Sequence, residues 1–272
     1  MRKWFCYPLV AAAALLLAAC DFEDLDFGGT QRHTQDFHYS YPLQAGGRLT
    51  LENFNGSVEI SGWDQQTVDV SGTKYASRPA LLDALRIDIE HGATAVHIRT
   101  VRPTGGRSNM GARYAIKVPR KIELERVVSS NGSVRLLDLE GAVHVRTSNG
   151  GVEALRVAGS VELHTSNGKV RASGVRGPVR IDTSNGSVDL TVPAGFRHDV
   201  RVATSNGGIV LHLPEGLDAR LQARTSNASI QTDFEVKSSG TWGKHRLDGV
   251  IGNGGPLLDL ATSNGGIRLA RL

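Results

Sequence analysis

The phrase Thr-Ser-Asn-Gly recurs through the second half of the chain at intervals that admit few folds. Asn131, Asn149, Asn167, Asn185, Asn206 and Asn227 each follow a serine, at spacings of 18, 18, 18, 21 and 21 residues, and Asn264 comes 37 residues later. A fixed period in this range is the mark of a solenoid, in which one supersecondary unit stacks on the next. Within a unit apolar residues alternate, Val143 and Val145 before the phrase, Val152 and Ala154 after it. A period of two is that of a strand with one buried face, and Gly141, Gly159 and Gly177 mark a second corner. The expected fold class is all-β: a single-domain parallel β-solenoid, β-helix-like, with coils of 18–21 residues and Asn-Gly corners. Each coil should lie about 4.8 Å from the last along the axis.

Asn-Gly also suits a two-residue hairpin. A meander has no use for the same Thr-Ser before every turn and the same apolar residue behind it, whereas stacked coils do. Asn and Gly are expected to take left-handed backbone at the corner, and Asn side chains one above another to form a hydrogen-bonded ladder. Thr147, Thr165, Thr183, Thr204, Thr225 and Thr262 fall on the inward side and should form a second ladder. Asn227 is followed by Ala228 rather than glycine, which predicts a distortion in that coil. Five residues before the Asn the chain reads Arg126, His144, Glu162, Arg180, Arg201, and four after it Arg135, Glu153, Arg171, Asp189. Alternating signs on adjacent coils predict cross-strand pairs of about 0.2–1 kcal/mol each.

Residues 1–19 carry Arg2 and Lys3 ahead of an apolar run, the pattern of an export signal. The run closes on Leu17-Ala18-Ala19-Cys20, which resembles a bacterial lipobox. Cys20 is the expected lipidation site, its acyl chains the anchor to a membrane. Cys6 leaves with the signal and Cys20 is consumed by lipid, so no disulfide is available. A domain of this length buries enough apolar surface without one. Residues 20–36, with Asp21, Glu23, Asp24, Asp26 and Gly28-Gly29, read as a flexible tether, and the β-solenoid domain as 37–272. Of the formal charge of +4, the signal removes two, leaving 29 basic against 27 acidic residues. That balance gives no reason to expect nucleic acid as a partner.

Catalysis is not expected. Glycoside chemistry needs two carboxylates about 5–9.5 Å apart, and no outward column places acids on adjacent coils: Asp182 falls between His164 and Ala203, Asp189 between Arg171 and Val210. His164, Ser166 and Asp182 bear the side chains of a hydrolytic triad, but residues two apart on a strand lie about 6.5–7 Å apart, too far for a Ser–His hydrogen bond. No metal site or cofactor is expected, since the nine histidines include no His-x-His or His-x-x-x-His. The aromatics Tyr39, Tyr41, Trp63, Tyr75, Tyr114, Phe234 and Trp242 lie outside the repeats and read as caps for the solenoid ends. Two stretches break the period: 100–113, basic and glycine-rich, and 235–255, which fills the 37-residue gap and carries Trp242, Lys244, His245 and Arg246 on an expected exposed loop. Long loops are where binding usually resides, so these four residues are the candidate binding set.

With those landmarks in order the chain resembles the bacterial "putative adhesin" family of β-solenoids, a domain of unknown function. The resemblance covers about 47–272 and rests on four stretches: "NFNGSVEISGWDQQTVDV" (53–70) as an opening coil, "YAIKVPRKIELERVVSSNGSV" (114–134), the TSNG units, and "LDGVIGNGGPLLDLATSNGGIRL" (247–269). It implies a cell-envelope β-solenoid without an established activity; with the lipobox and the absence of a catalytic constellation, the expectation is a non-catalytic protein on the non-cytoplasmic side that binds an envelope protein or a glycan. The alternative it implies is an accessory or sensor component of envelope-stress signalling. The lipobox predicts that Cys20→Ser abolishes stable membrane attachment: the variant should leave the membrane fraction or remain uncleaved, and unchanged fractionation and migration would contradict it.

Overall fold

The structure is a computed structural model that describes residues 32–103 and 109–272, with the side chains of 238–242 outside the description. Residues 1–31, including the signal segment and Cys20, lie outside it. The described chain is two sheets, of 11 and 12 strands, facing each other across one apolar core. Each coil contributes one strand to the 12-stranded sheet and one to the 11-stranded sheet; nine such coils are stacked in parallel, eight of them turning between the sheets at an Asn corner. The stack is the expected β-solenoid. The first strand, His33–Pro42, starts four residues before Phe37.

Alternation in the sequence becomes columns in the core. Val143, Val161, Val179, Val200, Leu258 and Leu221 are successive partners in one sheet. Val134, Val152, Val170, Val188, Ile209 and Ile267 are successive partners in the other. All twelve are buried.

The corners are built differently from the expectation. Among the Asn-Gly corners whose asparagines form the stacked column only Gly56 has a positive φ, +110°; the repeat glycines do not need left-handed backbone. They are required by proximity: a Cβ on Gly150, Gly168, Gly207 or Gly265 would stand 1.9 Å from the carbonyl oxygen of the glycine in the adjacent coil. The Thr column is inward and buried as expected, but it forms no Thr–Thr ladder. Five of the six hydroxyls, all but that of Thr183, instead tie one corner to the next: Thr165 Oγ1 donates to the Gly150 carbonyl at 2.9 Å and accepts from the Gly168 N–H at 3.2 Å. Thr204 and Thr262 repeat the arrangement. The Asn ladder is present: from Asn227 through Asn264, Asn206, Asn185, Asn167, Asn149 and Asn131 to Asn55, each Nδ2 donates to the next Oδ1 at 2.6–2.7 Å.

That ladder also shows that coil order is not chain order. The last coil, 257–271, lies between the coils 200–213 and 219–232. At the other end the coil 47–63 lies between 95–119 and 122–139. The opening coil therefore differs from the stretch 53–70, since Thr67–Ala76 leaves the stack to run antiparallel to Met110–Pro119. Of the expected loop 100–113, residues 100–101 end the strand Ala95–Val101 and 110–113 begin the strand Met110–Pro119, with 104–108 outside the described residues. Ala228 sits in the terminal coil, beyond which no further coil corner stacks; its N–H lies 3.4 Å from Thr225 Oγ1.

Antiparallel strands close both ends. Thr67–Ala76 and then His33–Pro42 extend one sheet, and Arg86–His91 extends the other. Phe37 and Tyr41 pack on the core there, Tyr114 is buried among them, and Phe234 packs at the opposite end, so these aromatics do cap the stack. The second corners hold a strained column: Asp138 (φ 57°) and Arg156 (φ 55°) are left-handed in adjacent coils, followed by Gly174 (φ 68°). Arg156 grips Asp138 with two hydrogen bonds, 2.6 and 2.8 Å.

Close approach, rather than dihedral freedom, predicts opposite fates for two neighbouring glycines. Gly207→Ala puts a methyl 1.9 Å from the Gly186 carbonyl and should lower stability by about 1–3 kcal/mol. Gly208→Ala meets its nearest neighbour at 3.4 Å and should be nearly neutral. Equal urea midpoints for the two variants would contradict the packing.

Candidate functional site

The two outer faces use their charges differently. On the 11-stranded sheet Glu59, Arg135, Glu153, Arg171 and Asp189 stand on successive coils with alternating sign. Their contacts run at 3.9, 3.1, 3.9 and 3.9 Å, a self-compensated ladder. In the 12-stranded sheet the column expected from sequence runs His144, Glu162, Arg180, Arg201. Arg201 would face only Arg180 if coils followed chain order, but the inserted coil brings Asp259 to 3.8 Å, and Arg224 reaches the same carboxylate at 3.5 Å.

This second face is also uneven. The strand Ile122–Asn131 carries a one-residue bulge, Leu124 pairing with Leu49 and Val143, and Val127 with Leu51 and Val145. Glu125 and Arg126 both point outward at the bulge, and bulges commonly re-aim side chains at binding sites. Beside it a groove of about 380 Å³ is lined by Glu125, Arg126, His144, Arg146, Glu162 and His164. Arg126 is held by Glu52 at 2.5 Å. Glu162 accepts from His164 at 2.9 Å and lies 3.6 Å from His144 and 3.8 Å from Arg180.

His164 also lies 3.6 Å from Asp182, with Ser166 near by in the same depression. Among the described residues Ser166 makes no side-chain hydrogen bond to His164, so the triad arrangement is not assembled. Asp182 Oδ2 is 2.9 Å from Arg180 Nε, a charge contact without hydrogen-bond alignment.

The stretch 235–255 is not an open loop. Val236–Gly243 and Arg246–Ile251 form a hairpin on Ala219–Arg224, capping the 12-stranded sheet. Its turn is Lys244-His245, whose carbonyls accept from Ile230 and Thr225 of the terminal coil at 3.2 and 2.9 Å. The side chains of Lys244, His245 and Arg246 are exposed, and Arg246 pairs with Asp248 at 2.6 Å. The Trp242 side chain lies outside the description. The bulge and its groove are absent from the expectations above, although the spacing of Leu124 and Val127, three residues instead of two, signals them.

Fold and corners define a two-sided parallel β-solenoid. Residues 50–270 match the Toastrack DUF4097 family, and the chain belongs to it. No curated protein sequence shows significant similarity to the chain. Among solved structures it is similar to a "putative cell adhesion protein" from Clostridium sporogenes, with TM-score 0.40, 13% identity, and coverage of 88% of this chain and 100% of that one. A "putative adhesin" from Bacteroides fragilis gives TM-score 0.38 and 12% identity, covering 86% and 97%. A "putative lipid binding protein" from Parabacteroides distasonis gives 0.33 and 12%, covering 89% and 98%.

The His164 hydrogen bond, then the charges of His164, His144 and Arg180, hold the Glu162 carboxyl below its ordinary range. A carboxylate depressed in the folded state adds stability above its unfolded pKa of about 4.3 and loses it as pH falls through the folded value. Glu162→Gln should therefore flatten the loss of stability between about pH 5 and pH 3. Urea midpoints with the same slope against pH in both proteins would contradict this.

Proposed function

We propose that this protein is a non-catalytic lipoprotein of the cell envelope that binds or adheres through one end of a rigid stack. One observation carries the reading. The charges along the 11-stranded sheet pair with one another, whereas Lys244 and His245 stand exposed at a hairpin turn with no ion-pair partner among the described residues. The turn caps the terminal coil, so its side chains are displayed at the far end of the solenoid from the strand His33–Pro42, which follows the tether. Lipid at Cys20 attaches the near end to a membrane, the coils act as a spacer, and Trp242, Lys244, His245 and Arg246 make the contact with an envelope protein or glycan.

Because Lys244 and His245 support the terminal coil through their carbonyls, deleting the turn would confuse binding with uncapping. Side-chain changes separate the two. A photo-crosslinking residue at position 245 should capture envelope components in intact cells, and the same probe at Arg171 should not. Lys244→Ser with His245→Ser should reduce partner binding with melting unchanged. Capture from position 171 that equals capture from 245 would contradict this assignment.

A further inference from the structure

The groove at the bulge does not stand alone. It shares Glu125 with a depression of about 350 Å³ lined by Arg48, Thr50, Glu90, His91, Thr94 and His97. On its other side it shares Arg146 and His164 with one of about 200 Å³ that reaches Ser166, Asp182 and Ser184. Together they make one trough across the outer face of the 12-stranded sheet, at the end away from the hairpin. It crosses seven consecutive strands, from Arg86–His91 to Val179–Thr183, a length of roughly 29 Å at 4.8 Å per strand.

Charge and ring chemistry in the trough are specific. Four of the nine histidines line it: His91, His97, His144 and His164. Arg146, at its centre, has no carboxylate within 4 Å among the described residues, unlike Arg126, which Glu52 holds, and Arg180, which Glu162 and Asp182 hold. The outward charged groups on all seven strands are Arg48, Arg86, Arg99, Arg126, Arg146 and Arg180 against Glu52, Asp88, Glu90, Glu123, Glu125, Glu162 and Asp182. Six arginines nearly balance seven carboxylates while the imidazoles are neutral. Histidine is the side chain that gains charge between about pH 8 and pH 5, and four imidazolium groups would turn the face cationic. Protonation of His144 and His164 offsets Glu162 between them and leaves Arg146 as an unopposed centre.

We propose that this trough binds a linear acidic glycan, with Arg146 taking a carboxylate of the polymer and the four histidines making binding stronger in mild acid. The floor favours a glycan over an acidic peptide. Six of its seven strands are paired on both sides and only Arg86–His91, at one end of the trough, is an edge, so along most of the floor no edge is free to accept a peptide strand. Hydroxyls of Thr50, Thr94, Ser166 and Ser184 line it. The His91 ring, stacked on Tyr41 at 3.9 Å, offers a flat partner for a sugar ring at one end. This site is separate from the hairpin turn and does not depend on its assignment.

The test is calorimetric binding of oligogalacturonate to the purified full chain at pH 5.5 and pH 7.5, with dextran as the neutral polymer and poly-glutamate as the acidic peptide. Binding should be about tenfold tighter at the lower pH, dextran should not bind, and Arg146→Gln should weaken binding about tenfold. His144→Gln with His164→Gln should shrink the pH difference. Arg171→Gln on the opposite face should bind like the parent, all variants being matched for melting temperature. Unaltered affinity in Arg146→Gln, an Arg171→Gln loss as large as that of Arg146→Gln, or poly-glutamate binding as tightly as the glycan would each overturn the proposal.

Discussion

Successive corners of this protein meet backbone against backbone, and that contact governs the rest. A methyl group at Gly150, Gly168, Gly186 or Gly207 would lie within 2 Å of a carbonyl oxygen in the next coil, so only glycine allows the coils to close to strand spacing. The polar groups brought together there are satisfied locally. Thr hydroxyls bridge glycine carbonyls and N–H groups inside the corner, and Asn amides run head to tail outside it. Once the corners are fixed, the strands on both sides have no freedom of register. Slipping one by a residue would turn its buried valines to solvent.

Equivalent corners make coils interchangeable as neighbours, and the chain exploits this at both ends. The C-terminal strands Leu257–Ala261 and Ile267–Arg271 lie inside the stack, each bonded on two sides. At this end of the stack the edge of the 11-stranded sheet is Ile230–Thr232, three residues long, and that of the 12-stranded sheet is covered by a hairpin. Short or covered edges discourage pairing with other chains. The one corner without glycine, Asn227-Ala228, belongs to the terminal coil, beyond which no further coil corner stacks.

Much of this was legible in the sequence because the signals are local and periodic. The spacing of Asn149, Asn167 and Asn185 predicts the stack, and the alternation around Val145 and Val152 predicts its inward face. Coil order was not legible, since Leu258 fits beside Val200 as well as Leu221 would. The distinguishing residue is Asp259, which supplies the countercharge that Gln222 lacks for Arg201. The corner glycines owe their place to proximity between coils, which leaves no mark in the sequence distinct from that of positive φ. The left-handed Asp138 and Arg156 are neither glycine nor asparagine, and only Gly174 in the same column hints at them. The expected loop at 235–255 is a hairpin, its pairing set by the register of Arg246–Ile251 on Ala219–Arg224, between residues 22 to 32 apart in sequence. The trough combines residues from seven strands that only the stack brings into line.

Intercalation of the last coil follows directly from interchangeable corners, and hydrogen exchange tests it most directly. If Ile267–Arg271 is bonded on both sides, its amides should exchange only through opening of the whole stack, as slowly as those of the coil holding Asn185, and more slowly than those of Ile230–Thr232, the edge strand. Stacking in chain order predicts the reverse, with the C-terminal strand fraying first and Ile230–Thr232 protected beneath it. Faster exchange in Ile267–Arg271 than in Ile230–Thr232 would contradict this stacking.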